Sequence, residues 1–497
     1  MQKLTEKQID LRNFSFDSKL LSLFPAQFAY DKRIVPLWQE GEQLYVAMSN
    51  PGELELLDEL SFVSGLTIRP VVVALEQLRG AVEECYVDRL LEDAAASPLQ
   101  VLTEESVEAV DLAQMAQEAQ TVRYVNLLFH QAAGEGASDI HLEPFEQEYV
   151  VRFRIDGVLV RVSSPPASMH AAIASRIKIM AGLDIAQRRL PQDGRIRLRI
   201  ATRQIDVRVS TIPTLYGESI VMRLLDGANV PLGLGELGMA EETLAVYRKL
   251  IANPYGIILV TGPTGSGKTT TLYAALREVF TEEKKIITIE DPVEYQLTGV
   301  NQIPVQPKVG LTFARGLRSI LRQDPDIVMV GEIRDPETAQ ISIQAALTGH
   351  LVFSTLHTNN AAGGITRLLE MGVEPYLAAS TVEGIMAQRL LRLICPHCKE
   401  SYHDPQLAAD LLWDDDTLWR GRGCPECHHS GYRGRTGVFE LLAMNQELRE
   451  LTLQRASSET IQLAAKRSGM SLLAEGGWEK VRAGLTTAAE VRRVVAD

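Results

Sequence analysis

Apolar and polar positions follow different rhythms along this chain, and the changes of rhythm divide it. Residues 34–37 and 44–48 read as short strands on either side of the turn signal Glu40-Gly41-Glu42, and helical spacing surrounds a further strand over 67–73. This predicts a small α/β module within 1–91. Helical spacing over 122–131 is followed by alternating strands at 149–154, 158–162, 196–200 and 205–209, an α+β pattern for a second domain over 121–232. Residues 232–238 form a Gly-rich connector. Beyond it the chain repeats strand, loop and helix, with strands at 257–260, 286–289, 327–330 and 351–355. Such repetition predicts a mainly parallel sheet covered by helices over 233–393. A cysteine-bearing segment over 394–440 and then helices over 441–497 complete the chain, with Thr487-Ala488-Ala489-Glu490 at capping-box spacing before the last helix.

Composition refines this division. At 497 residues the chain exceeds what one hydrophobic core supports. Between 92 and 120, Glu92, Asp93, Glu104, Glu105, Glu108, Asp111 and Glu118 occur with no Lys or Arg among them, so this stretch is expected to be an acidic linker, with a frayed helix as an alternative within it. No apolar run approaches the ~20 residues that cross a bilayer, and the first residues lack the order of a secretory signal. A cytosolic protein is expected. The net charge of −14 weighs against broad nucleic-acid binding, which needs a basic face.

The strand at 257–260 runs into Gly262-Pro263-Thr264-Gly265-Ser266-Gly267-Lys268-Thr269-Thr270, and a helix follows. Glycines here let backbone N–H groups turn inward around phosphates, and the helix N-terminus adds partial positive charge. Lys268 would reach the outer phosphates of ATP, and the Thr269 hydroxyl would hold Mg2+. Hydrolysis also needs a group to orient water. The apolar strand over 327–330 ends in Gly331-Glu332, with Gly where an Asp commonly helps hold the metal. Glu332 is therefore the first candidate. Glu290 and Glu294, after the strand at 286–289, are further candidates, for water activation and for a supporting or metal-side role. His357 follows the strand at 351–355 and His350 precedes it; either could be a γ-phosphate sensor or a structural hydrogen-bonding residue. Arginines that could stabilise phosphate charge fall in two pairs. Arg208 and Arg223 belong to strands of the second domain. Arg318 and Arg322 are spaced for one helical face ahead of Asp324-Pro325.

Four of the five cysteines form two pairs, Cys395-Pro396-His397-Cys398 and Cys424-Pro425-Glu426-Cys427. This spacing suits four-thiolate Zn2+, with disulfides or a redox dithiol as the competing readings. Cys85 stands apart and reads as a core residue.

Five ordered motifs together resemble those of the secretion ATPases, which drive type II secretion and type IV pilus assembly. They are the phosphate loop, residues 287–294, residues 313–326, Gly331-Glu332-Ile333-Arg334-Asp335, and the stretch 348–359 ending in His357-Thr358-Asn359. Residues 137–144 and Arg154-Ile155-Asp156-Gly157 resemble the second-domain signatures of that family. The resemblance implies a RecA-like ATPase core preceded by a PAS-like α+β domain, with a tetracysteine zinc insertion. It implies a homohexameric ring on the cytoplasmic face of the inner membrane. The amino-terminal domain would dock on a membrane-anchored platform component, and the motor would push on an inner-membrane platform protein. Arg208, Arg223, Arg318, Arg322, Arg334 and Arg435 match the arginine set of the family, and Gly331 is normal within it. Type II secretion is the leading reading, pilus extension its close rival, and a nucleic-acid translocase the weaker alternative from another class.

Overall fold

The computed structural model describes residues 11, 14, 16–24, 28–29, 32–51, 54–73, 77–78, 80–82, 85–86, 100–101, 112–200, 203–226, 233–411, 413 and 416–495. The chain divides into two compact units after Asp226. In the first, β1 (Val35–Glu40) and β2 (Gln43–Met48) form a hairpin whose turn uses Gly41 at φ +59°. The helix Leu54–Ser64 then crosses over to β3 (Thr67–Val72), which lies parallel to β2. Leu37, Leu44, Val46 and Leu60 are buried between these elements, as the apolar spacing requires.

The same unit holds a seven-stranded sheet. Its strands are β4 (Gln100–Val101), β5 (Asp139–Pro144), β6 (Tyr149–Ile155), β7 (Val158–Ser163), β8 (Gln192–Ile200), β9 (Arg203–Thr214) and β10 (Gly217–Asp226), in the order β4-β8-β9-β10-β5-β6-β7. Helices Leu112–Gly134 and His170–Met180 bury Leu128, Phe129, Ile173 and Ile177 in one core with Ile140, Phe153, Ile196 and Met222. Register sets Arg195, Arg208, Arg223, Asp139 and Arg154 side by side in one row across five strands. In the stretch expected as a linker, the helical alternative holds for its last part and a short strand was not foreseen. Helix Leu112–Gly134 begins inside it, and Gln100–Val101 pairs with β8. The run Leu112-Ala113-Gln114-Met115-Ala116-Gln117 consists of strong helix formers, which accounts for the helix. Glu92, Asp93, Glu104, Glu105, Glu108 and Asp111 lie outside the described residues.

In the second unit, β11 (Gly256–Thr261), β12 (Ile286–Glu290), β13 (Val300–Pro304), β14 (Ile327–Val330), β15 (Leu351–Leu356) and β16 (Val382–Ile394) are parallel. Strand β17 (Lys399–His403) pairs with β18 (Thr417–Gly421) in a separate small sheet, and β19 (Tyr432–Ala443) returns antiparallel to β16. The main order is β13-β12-β14-β15-β11-β16-β19. The four expected strands are present at its centre, where both faces are covered and every residue is buried. The partition at 394–440 cuts through β19, whose residues Val438–Leu442 complete the core beside β16. The cysteine module is thus inserted between two strands of the ATPase sheet.

The terminal helix Ala488–Val495 forms only half of the expected capping box. Glu490 N–H donates to Thr487 Oγ1 at 3.1 Å, but the Glu490 carboxylate does not turn back to the cap. It accepts instead from Arg392 N (3.0 Å), Arg392 Nη2 (2.8 Å) and Arg493 Nε (2.8 Å), while the Arg392 guanidinium stacks 4.0 Å over the Tyr432 ring. Burial opposes the charge on Glu490, yet the bonds from Arg493 and Arg392 outweigh it and hold its pKa down to about 2, from an ordinary 4.5. The clasp therefore contributes stability above pH 4.5 that is lost as the pH falls from there towards 2. Glu490→Gln is expected to cost about 3 kcal/mol at neutral pH in urea unfolding. Its deficit against the parent protein should shrink in melts taken below pH 4.5.

Candidate active site

Strand β11 delivers the chain to the carboxyl edge of the sheet, where Gly262 to Gly267 turn into the helix Lys268–Val279. Gly262, Gly265 and Gly267 have φ of +147°, +81° and +89°, which side-chain-bearing residues rarely adopt. A Cβ on Gly262 would meet Gln388 O at 2.6 Å, and one on Gly267 would meet Gln388 Nε2 at 2.8 Å. The loop is thus pressed against β16, and Thr271 Oγ1 donates to Gln388 Oε1 at 2.7 Å to keep it there. Pro263, Thr264 and Gly265 form the exposed tip, and Thr269 and Thr270 open the helix half-buried. Lys268 Nζ donates to Gly262 O (2.8 Å) and Pro263 O (3.1 Å). Ser266 Oγ is buried without a hydrogen-bond partner. A helix N-terminus, a lysine and an unanswered hydroxyl form a donor set that fits polyphosphate, and the Thr269 hydroxyl at the helix start fits its Mg2+.

Strand β14 carries Glu332 to the same edge. Its Oε2 accepts from Arg334 Nε at 2.7 Å and lies 3.2 Å from His357 Nε2 at the end of β15. The backbone beneath is tied on both sides, Gly331 N to Ile289 O at 2.8 Å and Ile333 N to Thr355 O at 3.0 Å. Burial pushes the Lys268 pKa below its ordinary value, and the nearby Glu332 carboxylate opposes that shift. Lys268, Glu332, His357 and Arg334 therefore form one cluster. Gly331 has its own reason. A Cβ there would sit 3.3 Å from both Glu290 Cα and Ile289 O, so an aspartate would press into β12.

Glu290 is buried at the end of β12, where it accepts from Tyr273 Oη, from Thr288 Oγ1 at 2.5 Å and from Gln302 Nε2 at 3.1 Å. Burial raises its pKa above the ordinary carboxylate value against the pull of these bonds. Glu294 follows half-buried on the loop, and its N–H donates to Tyr273 Oη at 3.3 Å. His350 is held by Ala345 O (2.9 Å) and Thr348 Oγ1 (3.2 Å), closing the helix Pro336–Leu347, which is the structural alternative for that residue.

The arginines separate. Arg318 lies on helix Phe313–Ile320 and pairs with Glu337 at 2.5 Å on the surface. The spacing placed Arg322 on the same helical face, but the helix stops at Ile320 ahead of Asp324 at φ +52° and Pro325; Arg322 lies past the end, its Nη1 on Arg318 O at 2.8 Å. Arg208 and Arg223 belong to the first unit, where Arg223 Nε bonds Asp139 Oδ1 at 2.9 Å. Sequence reasoning missed Gln388 and Arg389 on β16. Arg389 Nη2 donates to Asn359 O at 2.9 Å and sits near Lys268. The apolar run over 382–394 could have revealed this strand, and with it their place beside the loop.

The thiols of Cys395, Cys398, Cys424 and Cys427 lie within 4.8 Å of one another, and three Sγ pairs are 3.7–3.8 Å apart. A tetrahedron with Zn–S of about 2.3 Å has S···S edges of about 3.8 Å. The N–H groups of Cys424 (3.2 Å) and Gly431 (3.3 Å) point at Cys427 Sγ, which favours a thiolate. The cluster is compatible with a tetracysteine zinc site.

A parallel sheet, a phosphate loop after β11 and an acid at the end of β14 define a P-loop ATPase with a RecA-like core. The chain matches the family described as Type II/IV secretion system protein over residues 114–493, and an MshEN domain over 6–91. It belongs to the Type II/IV secretion system protein family and is an ATP-hydrolysing enzyme. It is 44% identical to the type IV pilus assembly ATPase PilB of Myxococcus xanthus, over 97% of this chain and 88% of that protein. Identity is 46% to the type II secretion system protein E of Pseudomonas aeruginosa, over 95% of each. Among solved structures, the pilus retraction motor PilT with bound ADP is 27% identical with a TM-score of 0.51, covering 74% of this chain and 96% of PilT. No described helix is long and apolar enough to cross a membrane.

The packing around Gly331 has a direct test. Gly331→Asp should supply no useful metal ligand and should destabilise the protein by about 1–3 kcal/mol, with lower ATPase activity. Thermal melts and turnover assays check both parts.

Proposed function

We propose that this chain is the ATPase of a type II secretion system, working as a homohexamer on the cytoplasmic face of the inner membrane. The observation that carries the catalytic reading is the cluster in which Glu332, gripped by His357 and Arg334, lies within electrostatic reach of Lys268. Glu332 accepts the proton of the attacking water. Glu290, with Glu294 behind it, is the second carboxylate and orients the same water. Lys268 and the loop N–H groups hold the phosphates, and His357 keeps the Glu332 carboxylate turned towards them. Mg2+ would be held by the Thr269 hydroxyl and would neutralise charge on the phosphates.

Arg208 and Arg223 of a neighbouring copy, with Arg318 and Arg322, stabilise the charge that develops at the γ-phosphate. The residues 1–91 dock on a membrane-anchored platform component, and closure of the ring pushes an inner-membrane platform protein that builds the pseudopilus. Cys395, Cys398, Cys424 and Cys427 would hold Zn2+, which would tie together the inserted module between β16 and β19. Pilus extension is the second reading, favoured by the match to PilB over nearly the whole chain. Deleting the gene separates the two: loss of exported enzymes with pili retained supports secretion, and the reverse outcome supports pilus extension. ATPase activity should respond to phospholipid with the platform component and not to DNA.

Lys268→Ala is expected to abolish nucleotide binding and turnover together. Glu332→Ala should bind ATP normally while turnover drops about 100-fold or more; undiminished hydrolysis would remove Glu332 from its role. Elemental analysis of the full chain should find about one zinc per copy, lost on Cys395→Ser.

A further inference from the structure

Tyr273 stands on the same helix as Lys268, is fully buried, and takes part in none of the steps above. Its hydroxyl donates to Glu290 Oε2. The Tyr273 Oη accepts in turn from the Glu294 backbone N–H at 3.3 Å, and Gln302 Nε2 lies 3.3 Å from it. The ring meets Tyr295 edge-on, centroids 4.5 Å apart at 77°, so the side chain is held in place. A tyrosine serving only the core needs one backbone acceptor. This one joins the phosphate-gripping helix to the carboxylate of Glu290, to the backbone of Glu294 and to the neighbouring strand.

The acceptor count gives the arrangement its meaning. A carboxylate offers about four lone-pair sites, two on each oxygen. Thr288 Oγ1 and Gln302 Nε2 both bond Glu290 Oε1, at 2.5 and 3.1 Å, and Gln302 is itself fixed by Tyr295 O at 3.1 Å. Tyr273 takes one site on Oε2, which leaves one more on that oxygen. The direction of the remaining site is set by the bond that Tyr273 makes. A shift of the phosphate-loop helix would carry the hydroxyl with it and turn the carboxylate.

We propose that Tyr273 is a positioning residue that aims the remaining Oε2 acceptor of Glu290 and couples it to the helix holding the phosphates. This rests on the reading of Glu290 as the second carboxylate of the site. The Tyr273 hydroxyl is committed to the Glu290 carboxylate and the Glu294 backbone, so it governs turnover and leaves ATP affinity alone.

The test is a double-mutant cycle on the full chain, with steady-state ATP hydrolysis, fluorescent-nucleotide binding and thermal melts for Tyr273→Phe, Glu290→Gln and the pair. Phenylalanine keeps the ring packing and removes only the hydroxyl. For Tyr273→Phe, kcat should fall about tenfold while KM and nucleotide affinity stay within about twofold. In the Glu290→Gln background the second substitution should reduce kcat no further. Unchanged kcat in Tyr273→Phe overturns the proposal, as does an equal loss added on top of Glu290→Gln. A large drop in melting temperature with loss of nucleotide binding would make Tyr273 a purely structural residue and also overturns it. Wild-type turnover in Glu290→Gln alone would show that the reading of Glu290 has failed, which is a separate result read from the single variant.

Discussion

The close approach of β16 to the phosphate loop is the contact on which the catalytic edge of the second unit depends. Gln388 lies against Gly262 through its carbonyl and against Gly267 through its side chain, and it accepts from Thr271 of the following helix. There is no room for a Cβ at either glycine, so the loop is held from behind. Backbone N–H groups can surround a phosphate only if the loop does not relax onto itself. Held in this way, the helix that starts at Lys268 occupies a fixed place, and with it Tyr273. Arg389, the next residue of β16, extends the same contact to the loop after β15 through Asn359. One strand therefore braces the phosphate loop and the segment that carries His357.

Two carboxylates at neighbouring strand ends sit in opposite surroundings. Glu332 is bonded by Arg334 and His357 and lies near Lys268, so cationic groups and an imidazole surround it. Glu290 is buried among the neutral donors Tyr273, Thr288 and Gln302, and burial raises its pKa. A charged group with cationic partners responds to the arrival and loss of phosphate charge; a buried one held by neutral donors takes its direction from those donors. The difference supports a division of labour between one residue that handles the proton and another that keeps the water in line. Gly331 eases the closeness, because a Cβ there would sit 3.3 Å from the backbone of Ile289 and Glu290.

The far end of the second unit is organised by a different means. Strand β16 continues past the ATPase core to the first cysteine pair, and β19 returns from the second pair to the core. Glu490 draws the last helix onto Arg392, three residues before Cys395, and Tyr432, the first residue of β19, bonds Thr487 at 2.6 Å. The cysteine module and the C-terminal helix thus share the same two strands.

What the sequence determined by itself is the local chemistry. Glycines at fixed spacing after a continuous apolar strand allow one backbone path, and a lysine at the start of the following helix allows one kind of ligand, so the phosphate loop was legible without coordinates. The central strands were legible for the same reason, being apolar on both faces. Cys-x-x-Cys pairs carried their geometry in their spacing. Only the tertiary structure decided matters that depend on residues far apart in the chain. The run Val300-Asn301-Gln302-Ile303-Pro304 is too polar to announce an edge strand, yet it supplies Gln302 to Glu290. Glu490 looked like a cap until Arg392, 98 residues earlier, claimed its carboxylate. Arg318 and Arg322 shared a face only as long as the helix was assumed to continue past Ile320. Sequence spacing reports the neighbours within a turn or a strand, whereas the environment of a charge is set by whichever elements pack against it.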